Sequence, residues 1–274
     1  YTSLMYYNGQ LFYIASHLSK EEEVKQRKMD MPKGDNICFK NVTFSYEEDV
    51  PVIKDASFEI EKGKVTAVVG SNGSGKSTLF KLIERFYKPD AGEITFGSYQ
   101  AKDIHLDAWR RSFSYVLQEP RLFNASIRDN IAYGAKGEVS DAEIKRVADL
   151  SCCSDFVEKL PGGYDYEIGD NGSKLSGGQR QRIAIARALL ADPEYLLMDE
   201  ATCNLDADNE RCVLNGIVEF MRGRTVIMIT HDMKMLSMAD NILVLDKGKV
   251  ESCGDRESVL KTSKTLQQFV EAYG

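Results

Sequence analysis

Long apolar runs are missing from this chain of 274 residues: no stretch of about 18 apolar residues exists, so nothing in it reads as a helix that crosses a bilayer. Positive charge is in deficit. Lys and Arg total 35 against 42 Asp and Glu, a formal charge of −7. That balance makes the chain a poor general binder of nucleic acid, which needs a basic face to neutralise phosphates, though a local basic patch is compatible with it. The three histidines (His17, His105, His231) are scattered, and none of the six cysteines (Cys38, Cys152, Cys153, Cys203, Cys212, Cys253) forms a C-x-x-C pair, so no metal-site spacing is present. The cysteines are expected to be reduced thiols of a cytosolic protein. No internal repeat or low-complexity tract occurs. The chain starts at Tyr1 with no signal peptide, and reads as a domain cut from a longer polypeptide.

What is present is ordinary for a folded domain: 43% hydrophobic and 28% charged residues, long enough to bury a substantial core. Leu4, Tyr7, Leu11, Ile14 and Leu18 recur at helical spacing and predict an apolar seam over residues 1 to about 20. A charged run from Lys20 to Lys28, ending at Met31-Pro32-Lys33-Gly34, reads as a linker. From Asn36 the period falls to two, with strands expected at Ile37–Phe39, Val42–Phe44 and Ala56–Ile60. Apolar runs at Val65–Val69, Tyr195–Met198, Val226–Ile229 and Ile242–Leu245 predict buried parallel strands. Residues from about 120 to 190 read mainly as helix. The alternation argues for an α/β fold with a parallel sheet.

Gly70-Ser71-Asn72-Gly73-Ser74-Gly75-Lys76-Ser77, followed by Thr78, matches the phosphate-loop pattern between a strand and a helix. Its glycines let backbone N–H groups curl around phosphate oxygens, and the helix start adds a positive pole. Lys76 is expected to reach the β- and γ-phosphates and the Ser77 hydroxyl to bind Mg²⁺. By itself the loop implies a nucleoside triphosphate and does not separate kinase, GTPase and transport ATPase. Tyr195–Met198 runs straight into Asp199-Glu200, which places two acids at the carboxyl edge of a strand, where open α/β sheets bind ligands. Asp199 suits a hold on Mg²⁺, and Glu200 suits polarisation of an attacking water. Thr230 and His231 sit just past Val226–Ile229, which makes His231 a candidate γ-phosphate contact.

Leu175-Ser176-Gly177-Gly178-Gln179, followed by Arg180 to Leu190, names a family. The run resembles the signature motif of ATP-binding-cassette proteins, and a Ser and two glycines at a helix start make a second anion site. The resemblance covers about residues 36 to 260. It implies a P-loop NTPase core with a mixed, mainly parallel sheet, an N-terminal antiparallel β subdomain and an inserted α-helical subdomain at about 118–190. It also implies that ATP is held by the phosphate loop of one domain and closed upon by the signature of a second.

On the same resemblance, Tyr46 looks like the aromatic that stacks on adenine. Gln118 looks like the glutamine that senses Mg²⁺ and the transmembrane partner. Asp206 looks like part of the loop that crosses the dimer interface, and His231 matches the switch histidine. Ser126 to Gly134 and Glu167 to Gly172 resemble exporters in particular, so residues 1–35 are expected to be the cytosolic end of a last transmembrane helix plus a linker, and 36–274 the nucleotide-binding domain. The implied function is ATP hydrolysis that drives export through a membrane domain of the same polypeptide, at the cytoplasmic face, with a homodimer favoured and no nucleic acid. An importer ATPase, or a soluble cassette ATPase acting on nucleic acid or ribosomes, is the alternative. Two positions depart from the family pattern: Cys203-Asn204 stand where Ser-Ala is common, and Asp232 follows His231 where exporters commonly carry Arg.

Overall fold

The computed structural model describes residues 29–135, 137–202 and 205–273. The helical seam expected over residues 1 to about 20 lies outside the described residues, as do Cys203 and Asn204. Ten strands follow in chain order: β1 (Ile37–Ser45), β2 (Pro51–Ile60), β3 (Val65–Gly70), β4 (Ala91–Phe96), β5 (Tyr99–Gln100), β6 (Phe113–Val116), β7 (Tyr195–Asp199), β8 (Thr225–Ile229), β9 (Asn241–Asp246) and β10 (Lys249–Asp255). The helices are α1 (Lys76–Ile83), α2 (Leu106–Arg111), α3 (Ile127–Ala132), α4 (Asp141–Leu150), α5 (Ser154–Val157), α6 (Gly177–Leu190), α7 (Ala207–Met221), α8 (Met233–Ser237), α9 (Arg256–Thr262) and α10 (Lys264–Tyr273).

Two sheets form. One has four strands in the order β2-β1-β4-β5, all antiparallel. The other has six in the order β10-β9-β3-β8-β7-β6. Its five strands β6 to β9 and β3 run parallel, and only β10 is antiparallel, at one edge. The mixed, mainly parallel sheet and the separate antiparallel sheet both match the expected fold class.

The large sheet is apolar on both faces because alternate residues of its strands feed two different cores. Ala67, Val69, Leu196, Met198, Val226 and Met228 face one core, which the helices between Gln118 and Leu190 and helix α7 complete. Val68, Tyr195, Leu197, Ile227 and Ile229 face the other, shared with Ile37, Phe39 and Val42 of β1 and with Leu79, Phe80 and Ile83 of α1. Two polar side chains of this second core are satisfied: the Trp109 indole N–H donates to the Ile83 carbonyl at 2.7 Å, and the Tyr195 hydroxyl donates to the Asp35 carbonyl at 2.5 Å.

Three expectations need adjustment. Helix α1 stops at Ile83 rather than near Phe86, because Arg85 turns left-handed at φ 58° and breaks the i to i−4 ladder. The stretch from 120 to 190 is less helical than its pattern suggests, with α3 and α4, and α5 and α6, separated by glycine-bearing turns, and α4 and α5 by Ser151-Cys152-Cys153 with Cys152 left-handed at φ 55°. The expectation of reduced thiols fails for one pair: Cys152 and Cys212 are joined by a disulfide, with Cα atoms 6.3 Å apart, while Cys38, Cys153 and Cys253 are free. These two residues are 60 apart in sequence and meet only because α7 packs on the end of α4.

Glu84 caps α1 with one carboxylate oxygen buried and without a hydrogen bond. Burial pushes its pKa from 4.5 up to about 7, against the pull of the nearby Arg110 guanidinium. Between those pH values the folded chain keeps a proton that the unfolded chain has released. Stability therefore falls as pH rises from about 4.5 to about 7 and is flat above, by about 2 kcal/mol after allowance for solvent around the half-buried carboxyl. Urea unfolding at pH 5 and pH 8 is expected to show this loss in the wild type and to lose most of the difference in Glu84→Gln.

Candidate active site

The carboxyl ends of β3, β7 and β8 stand side by side in parallel register, with Val68 opposite Ile229 and Ile229 opposite Asp199. What the chain does immediately after each strand therefore meets at one edge. After β3 comes the phosphate loop. At Gly75 the backbone is left-handed at φ +104°, and a Cβ there would lie 2.7 Å from Ile53 Cδ1 and 3.2 Å from the Val52 carbonyl oxygen. Only glycine lets the loop press against β2 and still turn into α1. Lys76, buried, folds back to donate to the carbonyls of Gly70 at 2.8 Å and Ser71 at 3.0 Å. Burial lowers its pKa, while Glu200 and Asp199 oppose that shift.

After β7 come the two acids. Asp199 is buried, and burial raises its pKa; hydrogen bonds from the Tyr115 and Ser77 hydroxyls work the other way. The Tyr115 hydroxyl donates to Asp199 Oδ2 at 3.1 Å. Glu200 has left-handed backbone at φ 46°, and its N–H donates to the Ile229 carbonyl at 3.0 Å. Its carboxylate is held on both sides: Gln118 Nε2 donates to Oε2 at 2.5 Å, and His231 Nε2 lies 3.1 Å from Oε1. Asn72, Gly73, Gly75, Lys76, Ser77, Thr78, Gln118, Asp199 and Glu200, with Val52 and Ile229, line one cleft of about 460 Å³.

The residues present fit a phosphate ligand with a hard cation. Ser74 Oγ is buried in the loop with no hydrogen-bond partner, and Lys76 spends its donors on the loop's own carbonyls, both positions from which a phosphate oxygen could draw a bond. The Asp199 carboxylate, Ser77 hydroxyl and Gln118 amide form an oxygen-rich donor set of the kind Mg²⁺ prefers. Among the described residues no group of three or more His, Cys, Asp or Glu is placed to hold a metal. A cation here would therefore depend on phosphate oxygens for the rest of its shell, as Mg²⁺ commonly does.

Tyr46, 45% exposed, stands beside the loop rather than in the cleft: its hydroxyl lies 3.1 Å from Thr78 Oγ1 and accepts from Lys81 Nζ at 3.3 Å, and its ring meets Phe44 and Tyr87 edge-on. The structure does not bring Leu175, Ser176, Gly177, Gly178, Gln179 or Asp206 into the cleft. Ser176 is exposed and caps α6, accepting from the Gln179 N–H at 3.2 Å while Gln179 Oε1 accepts from the Ser176 N–H at 2.9 Å. Asp206 caps α7 through the Asn209 N–H at 3.0 Å. Tyr115 was missed by the sequence reading. No signal in the sequence marks it, because its bond to Asp199 depends on β6 pairing with β7.

Comparison with known proteins places the chain in a family. The ABC transporter family profile matches residues 53–203. The chain is 35% identical over 272 residues to a multidrug resistance ABC transporter ATP-binding and permease protein of Lactococcus lactis, covering 98% of this chain and 46% of that protein. It is 42% identical over 249 residues to the ATP-dependent lipid A-core flippase of Pasteurella multocida, covering 89% and 43% respectively. It also resembles the structure of a bacterial Atm1-family ABC exporter with ATP bound, with a TM-score of 0.82, 35% identity, and coverage of 92% of this chain and 45% of that one. The chain thus spans less than half the length of these relatives.

Gly75→Ala is expected to keep the far-ultraviolet circular dichroism of the wild type and to weaken binding of a fluorescent ATP analogue by roughly 10- to 100-fold, the equivalent of about 1.4–3 kcal/mol of backbone strain and displacement. Unchanged affinity would mean that the loop's close approach to β2 has no part in binding.

Proposed function

Because this chain belongs to the ABC transporter family, we propose that it binds and hydrolyses ATP, pairs with a second copy, and thereby drives export through a membrane-spanning part of the same polypeptide, from the cytoplasmic face. The observation that carries the reading is the clasp on Glu200, whose two carboxylate oxygens are engaged by Gln118 and His231 at the mouth of the phosphate cleft. Among the described residues, no helix is long and apolar enough to cross a membrane. The likeness to exporters over most of this chain favours export over import or a soluble role.

In this reading Tyr46 stacks on adenine, and residues 70–78 surround the phosphates. Lys76 turns from the loop carbonyls to the β- and γ-phosphates. Ser77, Asp199 and Gln118 hold Mg²⁺, which supplies neutralisation of phosphate charge. Glu200 orients a water and takes its proton as the oxygen attacks the γ-phosphorus and the bond to the bridging oxygen breaks, giving ADP and inorganic phosphate. His231 steadies both Glu200 and the γ-phosphate. Sites of this sort act mainly through position and preorganised charge.

Ser176, exposed, and its two half-buried glycines lie outside this chain's own cleft, and in this reading they close on the γ-phosphate held by the other copy. Asp206 lies near the same contact. Loss of the γ-phosphate removes the bridge between the copies, and their separation moves the membrane part.

Glu200→Gln keeps the shape of the side chain but loses the base. It is expected to bind ATP with unchanged affinity, to lower turnover by at least about 100-fold, and to run as a dimer with ATP in light-scattering chromatography. Turnover at the wild-type rate would remove Glu200 from its assigned role.

A further inference from the structure

The Cys152–Cys212 disulfide joins two parts of the chain that carry different halves of the proposed interface. Cys152 lies just beyond α4, in the helical insertion, and Cys212 lies in the second turn of α7, whose first residue follows Asp206. The same spot is tied a second time. Arg182, on the helix that Ser176 caps, donates through one guanidinium nitrogen to the Cys152 carbonyl at 2.6 Å and to Asn209 Oδ1 at 2.7 Å. Asn209 in turn donates through its backbone and side chain to Asp206. One turn further along α7, a Cβ on Gly216 would stand 1.8 Å from the Leu150 carbonyl oxygen, so α7 and the end of α4 touch backbone to backbone. The disulfide, Arg182 and this contact hold α4, α6 and α7 as one body.

We propose that Cys152 and Cys212 form a redox-controlled clamp that, when oxidised, fixes the helix bearing Ser176 to the segment bearing Asp206, and that a cellular thiol opens it. The two residues are unlike in exposure. Cys212 is exposed, whereas Cys152 is 4% exposed. An external thiolate, of the glutathione or dithiol-protein class, attacks Cys212 Sγ. The bond to Cys152 breaks, and the Cys152 thiolate leaves and takes up a proton. A second thiol then attacks the mixed disulfide, releasing Cys212 as a thiol and the reductant as its own disulfide, with two electrons passing to the protein pair.

Neighbouring Cys153 does not compete. It is fully buried beside Ser151, and burial pushes its thiol up to about 12, which keeps it unreactive at neutral pH. A disulfide in a protein facing a reducing compartment is more often sensory than structural. None of the clamp residues lines the phosphate cleft, so ATP binding by one chain is independent of the clamp. Pairing of two chains, which rests on the function proposed above, needs Ser176 and Asp206 presented together. A preassembled surface loses less freedom on association than a loose one.

The test uses the 274-residue chain, wild type and Cys212→Ser, in oxidised and dithiothreitol-treated states. Alkylation with mass spectrometry is expected to label Cys212 before Cys152, and neither without reductant. Reduction is expected to lower the unfolding midpoint by roughly 5–15 °C. It should also increase hydrogen exchange at the end of α4 and the starts of α6 and α7, leaving affinity for ATP unchanged. In the Glu200→Gln background, ATP-dependent pairing is expected to weaken about tenfold on reduction. Cys212→Ser should behave as reduced in every state. Prompt alkylation of both cysteines without reductant, or a redox response that persists in Cys212→Ser, would overturn the clamp. If neither state pairs with ATP, the function proposed above fails, and the exchange and alkylation data still decide the clamp.

Discussion

The arrangement depends on one constraint: a parallel sheet buried on both faces can expose chemistry only at its strand ends. Strands β3, β7 and β8 are apolar at nearly every position, because successive side chains must enter two different cores. Parallel pairing then brings their carboxyl ends to one edge in fixed register. The phosphate loop lies more than a hundred residues before the two acids, and the histidine a further 31 residues beyond Glu200, yet none is placed by its own loop alone. A slip of β7 by one residue would turn Asp199 from the cleft and drive Tyr195 out of the core in which it stacks on Phe113.

Charge at that edge is held by protein partners. Asp199 and Glu200 are adjacent acids, and the Glu200 charge raises the cost of ionising Asp199. Lys76 offsets this from the loop side, and the Tyr115 and Ser77 hydroxyls offset it on Asp199. Glu200 adds backbone strain, since φ 46° costs a non-glycine residue on the order of 1–3 kcal/mol unless its surroundings compel it. The compelling contacts are visible: its N–H is tied to β8, and its carboxylate is gripped from Gln118 and from His231. These two grips link the carboxylate to the segment entering the helical insertion and to the segment leaving β8. A change in either segment therefore reaches the group proposed to activate water.

Much of this was legible in the sequence, for physical reasons. Unbroken apolar runs bounded by turns mark doubly buried strands, and a glycine loop with Lys76 and Ser77 after such a run has few other uses. The chemistry at Asp199, Glu200 and His231 could be located because each residue immediately follows a strand. Contacts between residues remote in sequence were not legible. Nothing around Tyr115 announces a bond to Asp199, since it depends on β6 lying beside β7. The Cys152–Cys212 bond, 60 residues apart, depends on how α7 meets α4. Composition alone argued for reduced thiols because it carries no information about which sulfurs touch. The short length of α1 turned on a left-handed Arg85 that no propensity scale marks.

The central claim is that each ATP is served by the phosphate loop of one copy and the Ser176 helix start of the other. It is tested most directly by mixing two disabled full-length proteins, one carrying Lys76→Ala and the other Ser176→Arg. A mixed pair contains one site with an intact loop facing an intact helix start, while each protein alone contains none. ATP turnover, absent from either variant by itself, is expected to reappear in the mixture with a dependence on both concentrations. A mixture as inactive as its parts, with wild-type binding of ATP by the Ser176→Arg protein and demonstrated mixed pairs, would contradict it.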